Sequence, residues 1–157
     1  MLYHYTIADR LPVILEEGFV TPATAGVIPP ERPAVWFTRE TSYPFSAAKS
    51  FIDNNGSVVA LSPEEMVRAG MVLVRLVFPD SVASIGWRDW RKRSRINPSY
   101  ARSLYETAVN AGDAPWLWRV SFRPVALQRM TRIEAYRPHL EQWEEISEGS
   151  FFIRSRA

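Results

Sequence analysis

The first 18 residues constrain the fold of this chain more than any other segment. The aromatic stretch at residues 2–5 predicts a short β-strand. Thr6 is a typical N-cap residue, and an amphipathic helix is predicted over residues 8–17, ended by Gly18. His4 is therefore expected on the first strand beside a helix N-terminus, where it can bind a sugar hydroxyl or a phosphate. The alternative is a half-buried strand histidine satisfied by a backbone partner.

Short apolar and aromatic runs recur along the rest of the chain, separated by turn residues. Further strands are predicted at residues 34–38, 57–61, 71–78, 116–123, within 126–136 and at 151–154. Helices are predicted at residues 45–51, from Ser62 onward, at 99–110 before Gly112, and at 138–145. The proline-rich residues 21–33 predict a long surface loop, and loops of this length often serve as functional lids.

The order of these elements indicates the fold class. Strands alternate irregularly with short helices, without the regular rhythm of parallel βαβ units. The pattern predicts an α+β fold with a mainly antiparallel or split sheet. A length of 157 residues is typical of one domain, so we expect residues 1–157 to form a single domain.

The composition excludes several classes of site. The chain has no cysteine and only two histidines, which rules out a thiolate nucleophile and any cysteine-based or multi-histidine metal site. We therefore expect no metal cofactor. No apolar run approaches the roughly 20 residues of a membrane span, and the opening strand and helix do not resemble a signal peptide. We expect a cytoplasmic protein that does not enter a membrane.

Positive charge is concentrated in residues 87–95, although the formal net charge is only +2. The cations of this segment are Arg88, Arg91, Lys92, Arg93 and Arg95. They are candidates to contact the phosphates of a single-stranded nucleic acid, with Trp87 or Trp90 stacking on an unpaired base. The alternative is a solvated helix face, which is the usual role of a charge run. Acidic residues cluster separately at 141–148.

The common catalytic motifs are absent from the sequence. There is no Walker loop, no GxGxxG, no GxSxG and no HExxH motif. What remains is a set of polar and aromatic residues near predicted strand ends, together with a carboxylate to be identified. The set comprises His4, Thr6, Trp36, Thr38, Arg39 and Tyr43. Arg75 also stands out, because an unpaired charge in a buried strand is costly. It should reach an acidic partner, a pocket anion or the sheet edge.

Three segments of the N-terminal third resemble a known family. Residues 2–6 (LYHYT), 11–18 (LPVILEEG) and 35–39 (VWFTR) are similar to the opening of ADP-ribosyltransferase-fold proteins. The likeness is to DarT-like, nucleic-acid-modifying ADP-ribosyltransferases, and small phage and bacterial proteins share the same opening. It covers roughly residues 1–50. The resemblance implies a split, mainly antiparallel sheet and NAD as a substrate.

The resemblance also implies roles for individual residues. His4 and Thr6 would contact the ribose and the nicotinamide amide of NAD, and Tyr43 would stack on the nicotinamide. Arg39 would orient a phosphate of NAD or the acceptor. Trp36 and Thr38 complete the predicted NAD-binding set. Breaking the nicotinamide–ribose bond creates an oxocarbenium-like centre, so such a site needs a positioned NAD, a stacked leaving group and a nearby carboxylate.

The sequence departs from the family at that carboxylate. The family places a glutamate at the start of a late strand, but the corresponding strand here starts at Trp116 without one. Asp113, Glu106 and Glu134 are the nearby acidic residues. We favour Glu134 as the catalytic carboxylate, because its apolar neighbours should point to the opposite face of their strand. The alternative is an exposed strand residue paired with Arg132.

Three functions remain open from the sequence. The first is an NAD-dependent ADP-ribosyltransferase that modifies a nucleic acid or a protein. The second is a non-catalytic nucleotide-binding or nucleic-acid-binding module on the same scaffold. The third is an interaction protein of a phage or toxin system that needs no ligand.

Overall fold

The computed structural model describes residues 1–52 and 55–147. Within these residues there are eleven β-strands and four α-helices. The strands are β1 Leu2–Ile7, β2 Phe19–Val20, β3 Val35–Thr38, β4 Ser50–Ile52, β5 Val58–Ala60, β6 Leu73–Phe78, β7 Ile85–Gly86, β8 Trp118–Ser121, β9 Val125–Ala126, β10 Arg132–Arg137 and β11 Gln142–Ile146. The helices are α1 Leu11–Glu17, α2 Pro63–Arg68, α3 Trp87–Arg93 and α4 Pro98–Asn110.

The main sheet has seven strands in the order β11-β10-β6-β1-β3-β8-β7 across the described chain. Each pair of neighbours in this sheet is antiparallel. Strands β2 and β9 form a separate small sheet, as do β4 and β5. The mainly antiparallel α+β architecture predicted from the sequence is therefore confirmed.

The first strand is paired very differently on its two sides. Against β6, its register runs without a break from Leu2–Phe78 to Ile7–Leu73. Against β3, the described residues show one register pair, Tyr3 with Thr38. Strands β1 and β3 therefore separate beyond that pair, and the sheet is split between them.

Apolar side chains cover both faces of the sheet. On one face, Leu2, Leu76 and Phe78 pack with Leu11 at the start of α1. On the other face, an aromatic cluster lies below α3 and α4, and a second cluster lies beside α2. The cluster below α3 and α4 includes Trp36, Trp87, Trp90 and Trp118. The cluster beside α2 includes Tyr5, Tyr43 and Met66. Because strand side chains alternate between faces, strands β1, β3, β6, β10 and β11 each contribute to two of these cores.

Three local predictions are wrong. The helix predicted at residues 45–51 is a 3-10 turn at Phe45–Ala47 followed by strand β4, which pairs with β5. Thr6 is not a helix cap: it lies in β1 opposite Val74, because pairing with β6 continues to Ile7, and a 3-10 turn at Ala8–Arg10 precedes α1. The helix predicted at residues 138–145 is instead a turn followed by β11, which pairs with β10. The strand predicted at 151–154 lies outside the described residues.

Other helix boundaries follow the sequence signals. The Ser62 hydroxyl oxygen accepts a hydrogen bond from the Glu65 backbone N–H, and the Ser62 backbone N–H donates to the Glu65 carboxylate. Together the two bonds form a complete capping box at α2. Asn97 caps α4 through its side-chain oxygen. Gly18 ends α1 with a φ of 71°, a left-handed conformation that favours glycine.

Candidate functional site

A cavity of about 450 Å³ lies where β1 and β3 separate. Its walls come from these two strands, the proline-rich loop, the turn before β4, and α4. Residues of the proline-rich loop, 21–33, thus form one wall of the cavity. The gap in the sheet provides the space, because unpaired strands do not hold each other at hydrogen-bonding distance.

His4 lines this cavity and bridges the gap between the strands. Its Nδ1 lies 2.9 Å from the backbone carbonyl oxygen of Trp36. A carbonyl oxygen can only accept, so Nδ1 carries the proton and donates, and Nε2 is left as an acceptor. Burial lowers the pKa of His4 to about 4, with the Trp36 hydrogen bond acting in the opposite direction and the Lys49 charge adding a smaller lowering effect within that value. The imidazole is therefore neutral at pH 7.

Two charged residues that the sequence did not single out also line the cavity. Burial lowers the pKa of Lys49, with a smaller effect from the charge of Arg10. Burial raises the pKa of Glu31, which lies on the proline-rich loop. Lys49 is one of two lysines in an arginine-rich chain, which could have marked it as unusual. Nothing local distinguishes Glu31.

Asp113 fixes the turn that forms one wall. Its two carboxylate oxygens accept hydrogen bonds of 2.7 Å from the backbone N–H groups of Phe45 and Ser46. Asp113 is itself buried. This candidate for the catalytic carboxylate therefore holds the backbone of residues 45–46, and both of its oxygens are engaged.

Glu40 supports the same region from the end of β3. Its carboxylate accepts from the Ala114 backbone at 3.0 Å and from the Thr38 hydroxyl at 3.1 Å. Burial raises the pKa of Glu40 despite these hydrogen bonds. Nothing in the sequence singled out Glu40, which fixes the strand end next to the cavity through these hydrogen bonds.

The structure brings together part of the predicted NAD-binding set. His4, Trp36 and Thr38 line the cavity. Among the described residues, Thr6, Arg39 and Tyr43 are not part of its lining. The structure therefore brings three residues of the predicted set to this cavity and places the other three elsewhere.

Each of the three excluded residues has another environment. Thr6 is buried on β1. Arg39 lies at the surface, where its Nε donates to Asp80 at 3.1 Å. Tyr43 is buried beside α2, donates to the Ala47 carbonyl oxygen at 3.0 Å, and lines a different cavity.

Glu134 lies on the sheet face opposite His4. It pairs in register with Arg75, whereas His4 pairs with Leu76, the next residue of β6. One carboxylate oxygen of Glu134 accepts from Arg75 Nε and the other from Arg132 Nε, the latter at 2.6 Å. Burial acts to raise the pKa of Glu134, but the two arginines lower it overall. The structure therefore places Glu134 in a buried ion-pair network away from the cavity.

The basic segment forms helix α3 and the residues that follow it. Trp87 and Trp90 point into the aromatic core, with Trp90 only 1 % exposed and 4.7 Å from the Trp36 ring. The prediction that one of them stacks on an unpaired base is therefore wrong, because both rings are buried. The cations predicted to contact phosphates are all exposed: Arg88, Arg91, Lys92, Arg93 and Arg95.

No family model matches the chain, and neither the curated proteins nor the solved structures give a match. In the described part of the chain, no helix is long and apolar enough to cross a membrane. The described residues also contain no group of three or more histidine, cysteine or acidic side chains arranged to hold a metal ion.

Proposed function

We propose that the cavity at the β1–β3 split binds NAD, and that the protein transfers ADP-ribose from NAD to a nucleic-acid or protein acceptor. The observation that carries the proposal is the position of His4. Its neutral ring bridges the split and lines the cavity with an acceptor nitrogen available. The N-terminal resemblance to ADP-ribosyltransferases concerns this same strand and histidine.

The cavity offers a partner for each part of NAD. Its volume of about 450 Å³ lies within the roughly 300–1,000 Å³ that is usual for ligand pockets. Tyrosine and tryptophan rings in the lining suit a planar nicotinamide or adenine. The cation of Lys49 suits the pyrophosphate. The His4 Nε2 atom can accept a hydrogen bond from a ribose hydroxyl or from the nicotinamide amide.

The reaction also requires a carboxylate close to the ribose. Transfer breaks the bond between nicotinamide and ribose and joins that ribose carbon to an acceptor oxygen or nitrogen, which loses a proton. A carboxylate can stabilise the positive charge on the ribose and accept the proton. Among the described residues that line the cavity, Glu31 is the one carboxylate. The geometry therefore favours Glu31 over Glu134 for this role.

A calorimetric titration with NAD tests the binding site. We expect His4→Ala to weaken NAD binding about fivefold, since it removes one neutral hydrogen bond worth about 1 kcal/mol. Lys49→Gln should weaken binding at least about tenfold, because it removes a charge-assisted contact. Arg39→Ala is the matched control and should leave the affinity unchanged. Absence of NAD binding to the wild type, or equal losses in all three variants, would contradict the proposal.

Nicotinamide release tests the chemistry separately from binding. With DNA, RNA and protein offered as acceptors, Glu31→Gln should abolish release while NAD still binds. Glu134→Gln should retain release if its folding is intact by circular dichroism. Release lost only in Glu134→Gln would restore the sequence-based assignment of that residue.

The second candidate function is a nucleotide-binding or nucleic-acid-binding module without catalysis. The specific observation in its favour is that both arginine partners of Glu134 neutralise the strand-borne carboxylate that the sequence predicted to be catalytic. The exposed cations of α3 would then serve nucleic-acid contact alone. NAD binding without release of nicotinamide for any acceptor would favour this function.

A further inference from the structure

A second and larger cavity, of about 820 Å³, lies beside α2 at the other side of β1. Its walls come from residues 41–43, α2, β6 and the turn between β10 and β11. Tyr43, Tyr136 and Trp143 supply aromatic surface, and Arg75 also lines it. The NAD site proposed above does not use this cavity.

Arg75 is the unusual group in this lining, because its side chain is only 8 % exposed. Its Nε donates to Glu134, and its Nη1 donates to the Thr41 carbonyl oxygen and lies 3.4 Å from the Tyr5 hydroxyl. The guanidinium carbon lies 4.4 Å from the centre of the Trp143 ring. These contacts hold the guanidinium in one orientation.

The remaining nitrogen, Nη2, has no acceptor among the described residues. In that part of the chain, Trp90 Nε1 is the one side-chain polar atom that is both fully buried and without a partner. Nη2 of Arg75 is therefore not fully buried, and Arg75 is part of the cavity lining. An arginine held this way presents two N–H donors that burial makes costly to leave without an acceptor.

We propose that this cavity binds a small aromatic carboxylate, with its carboxylate on Arg75 Nη2 and its ring against the tyrosine and tryptophan side chains. The charges of the lining favour a single negative charge. Two cations, Arg68 and Arg75, are balanced by two carboxylates, Glu64 and Glu141, among the described lining residues. A phosphate dianion would be repelled more strongly by these carboxylates and would find too few donors.

Benzoate is the probe, and benzamide is its neutral counterpart of the same shape. Titration of the full chain by calorimetry should show saturable benzoate binding, with benzamide weaker by at least about tenfold because the charge-assisted hydrogen bond is lost. Arg75→Lys keeps the charge beside Glu134 but removes the second terminal nitrogen, so it should weaken benzoate by about tenfold. Equal affinity for benzoate and benzamide, or displacement of benzoate by inorganic phosphate, would overturn the assigned ligand class.

A second variant keeps the test independent of the buried ion pair. Ser42 is an exposed residue of the lining, so Ser42→Trp should close part of the cavity without altering the core and should abolish benzoate binding. Ser103→Trp places the same side chain on the exposed surface of α4 and should bind benzoate like the wild type. No benzoate binding to the wild type, or binding that survives in Ser42→Trp, would overturn the site. Competition between NAD and benzoate would show that the benzoate site is not separate from the first cavity.

Discussion

The two sides of strand β1 differ in how completely their backbone groups pair with the neighbouring strand. On the β6 side, each residue of β1 has a register partner, and the charges of Arg75 and Glu134 pair across the neighbouring strands. On the β3 side, pairing stops after Tyr3, and the His4 ring satisfies a carbonyl that the partner strand does not reach. The complete ladder leaves no gap between its strands, whereas the interrupted one leaves a gap that is lined by the free acceptor nitrogen of His4.

Breaking the ion pair on the fully paired side should have the largest effect. Arg75→Met leaves Glu134 buried with Arg132 as its remaining partner, and loss of one member of a buried pair typically costs about 3–5 kcal/mol. Denaturant unfolding monitored by circular dichroism measures this loss in the free energy of unfolding.

The double variant Arg75→Met with Glu134→Leu is the control for that experiment. It removes both charges, so it should recover much of the stability lost in the single variant. A loss below about 1 kcal/mol in Arg75→Met would show that the paired side does not depend on its buried charges.

On the split side, His4 should make the free energy of unfolding depend on pH. Because the pKa of His4 falls from 6.5 to about 4 on folding, the unfolded chain binds a proton in that window and the folded chain does not. The free energy of unfolding should therefore decrease as pH falls from 6.5 to 4, by up to about 3 kcal/mol. Urea unfolding across this range should show a flatter profile in His4→Gln than in the wild type. An unchanged slope in His4→Gln would contradict a neutral His4 in the folded protein.

Much of the framework could be predicted from the sequence, because it depends on local signals. The capping box at Ser62, the left-handed Gly18 and the aromatic run of β3 each involve a few adjacent residues. The strand β11 was missed because Pro138 and the acidic residues after it favour a turn and helix, and pairing with β10 overrides that preference.

The site was harder to predict, because it depends on which residues meet across the fold. The placement of Arg75 beside an acidic partner was one of the expected outcomes, and it is confirmed. The acidic partner of Arg75 is Glu134, so Glu134 is not part of the NAD site predicted for it. The alternation of side chains along β10 alone could not indicate this partner, because the pairing depends on the neighbouring strand β6. Glu31 and Lys49 reach the cavity through long-range folding of two loops, for which the local sequence carries no signal.

The basic helix α3 belongs to the split side and tests whether that side also contacts nucleic acid. If about four of its cations contact phosphates, the logarithm of affinity for single-stranded nucleic acid should fall with the logarithm of salt at a slope near −3. Filter binding of Arg91→Ala with Arg93→Ala should flatten the slope by about one to two units. Replacement of the exposed Arg102 and Arg123 with Ala is the control and should leave the slope unchanged. Absence of binding at low salt would show that α3 is only a solvated surface.

The smallest effect is expected at the surface ion pair. Arg39 and Asp80 are both substantially exposed, and such pairs contribute little to stability. Arg39→Ala should therefore leave the thermal midpoint unchanged within error. The hydrogen bonds from Arg39 and the N-terminus lower the pKa of Asp80, so this variant should raise that pKa in an NMR titration. A clear fall in the thermal midpoint would show that the Arg39–Asp80 ion pair contributes substantially to stability.

The most direct test of the split as a ligand site is NMR of the two histidine side chains during a titration with NAD. The chain has only His4 and His139, so a long-range ¹H–¹⁵N spectrum contains two imidazole patterns. The structure predicts that His4 is the neutral tautomer protonated on Nδ1, and that NAD shifts its Nε2 signal while His139 stays unchanged. A protonated His4 at pH 7, or NAD binding that leaves its Nε2 signal in place, would contradict the account.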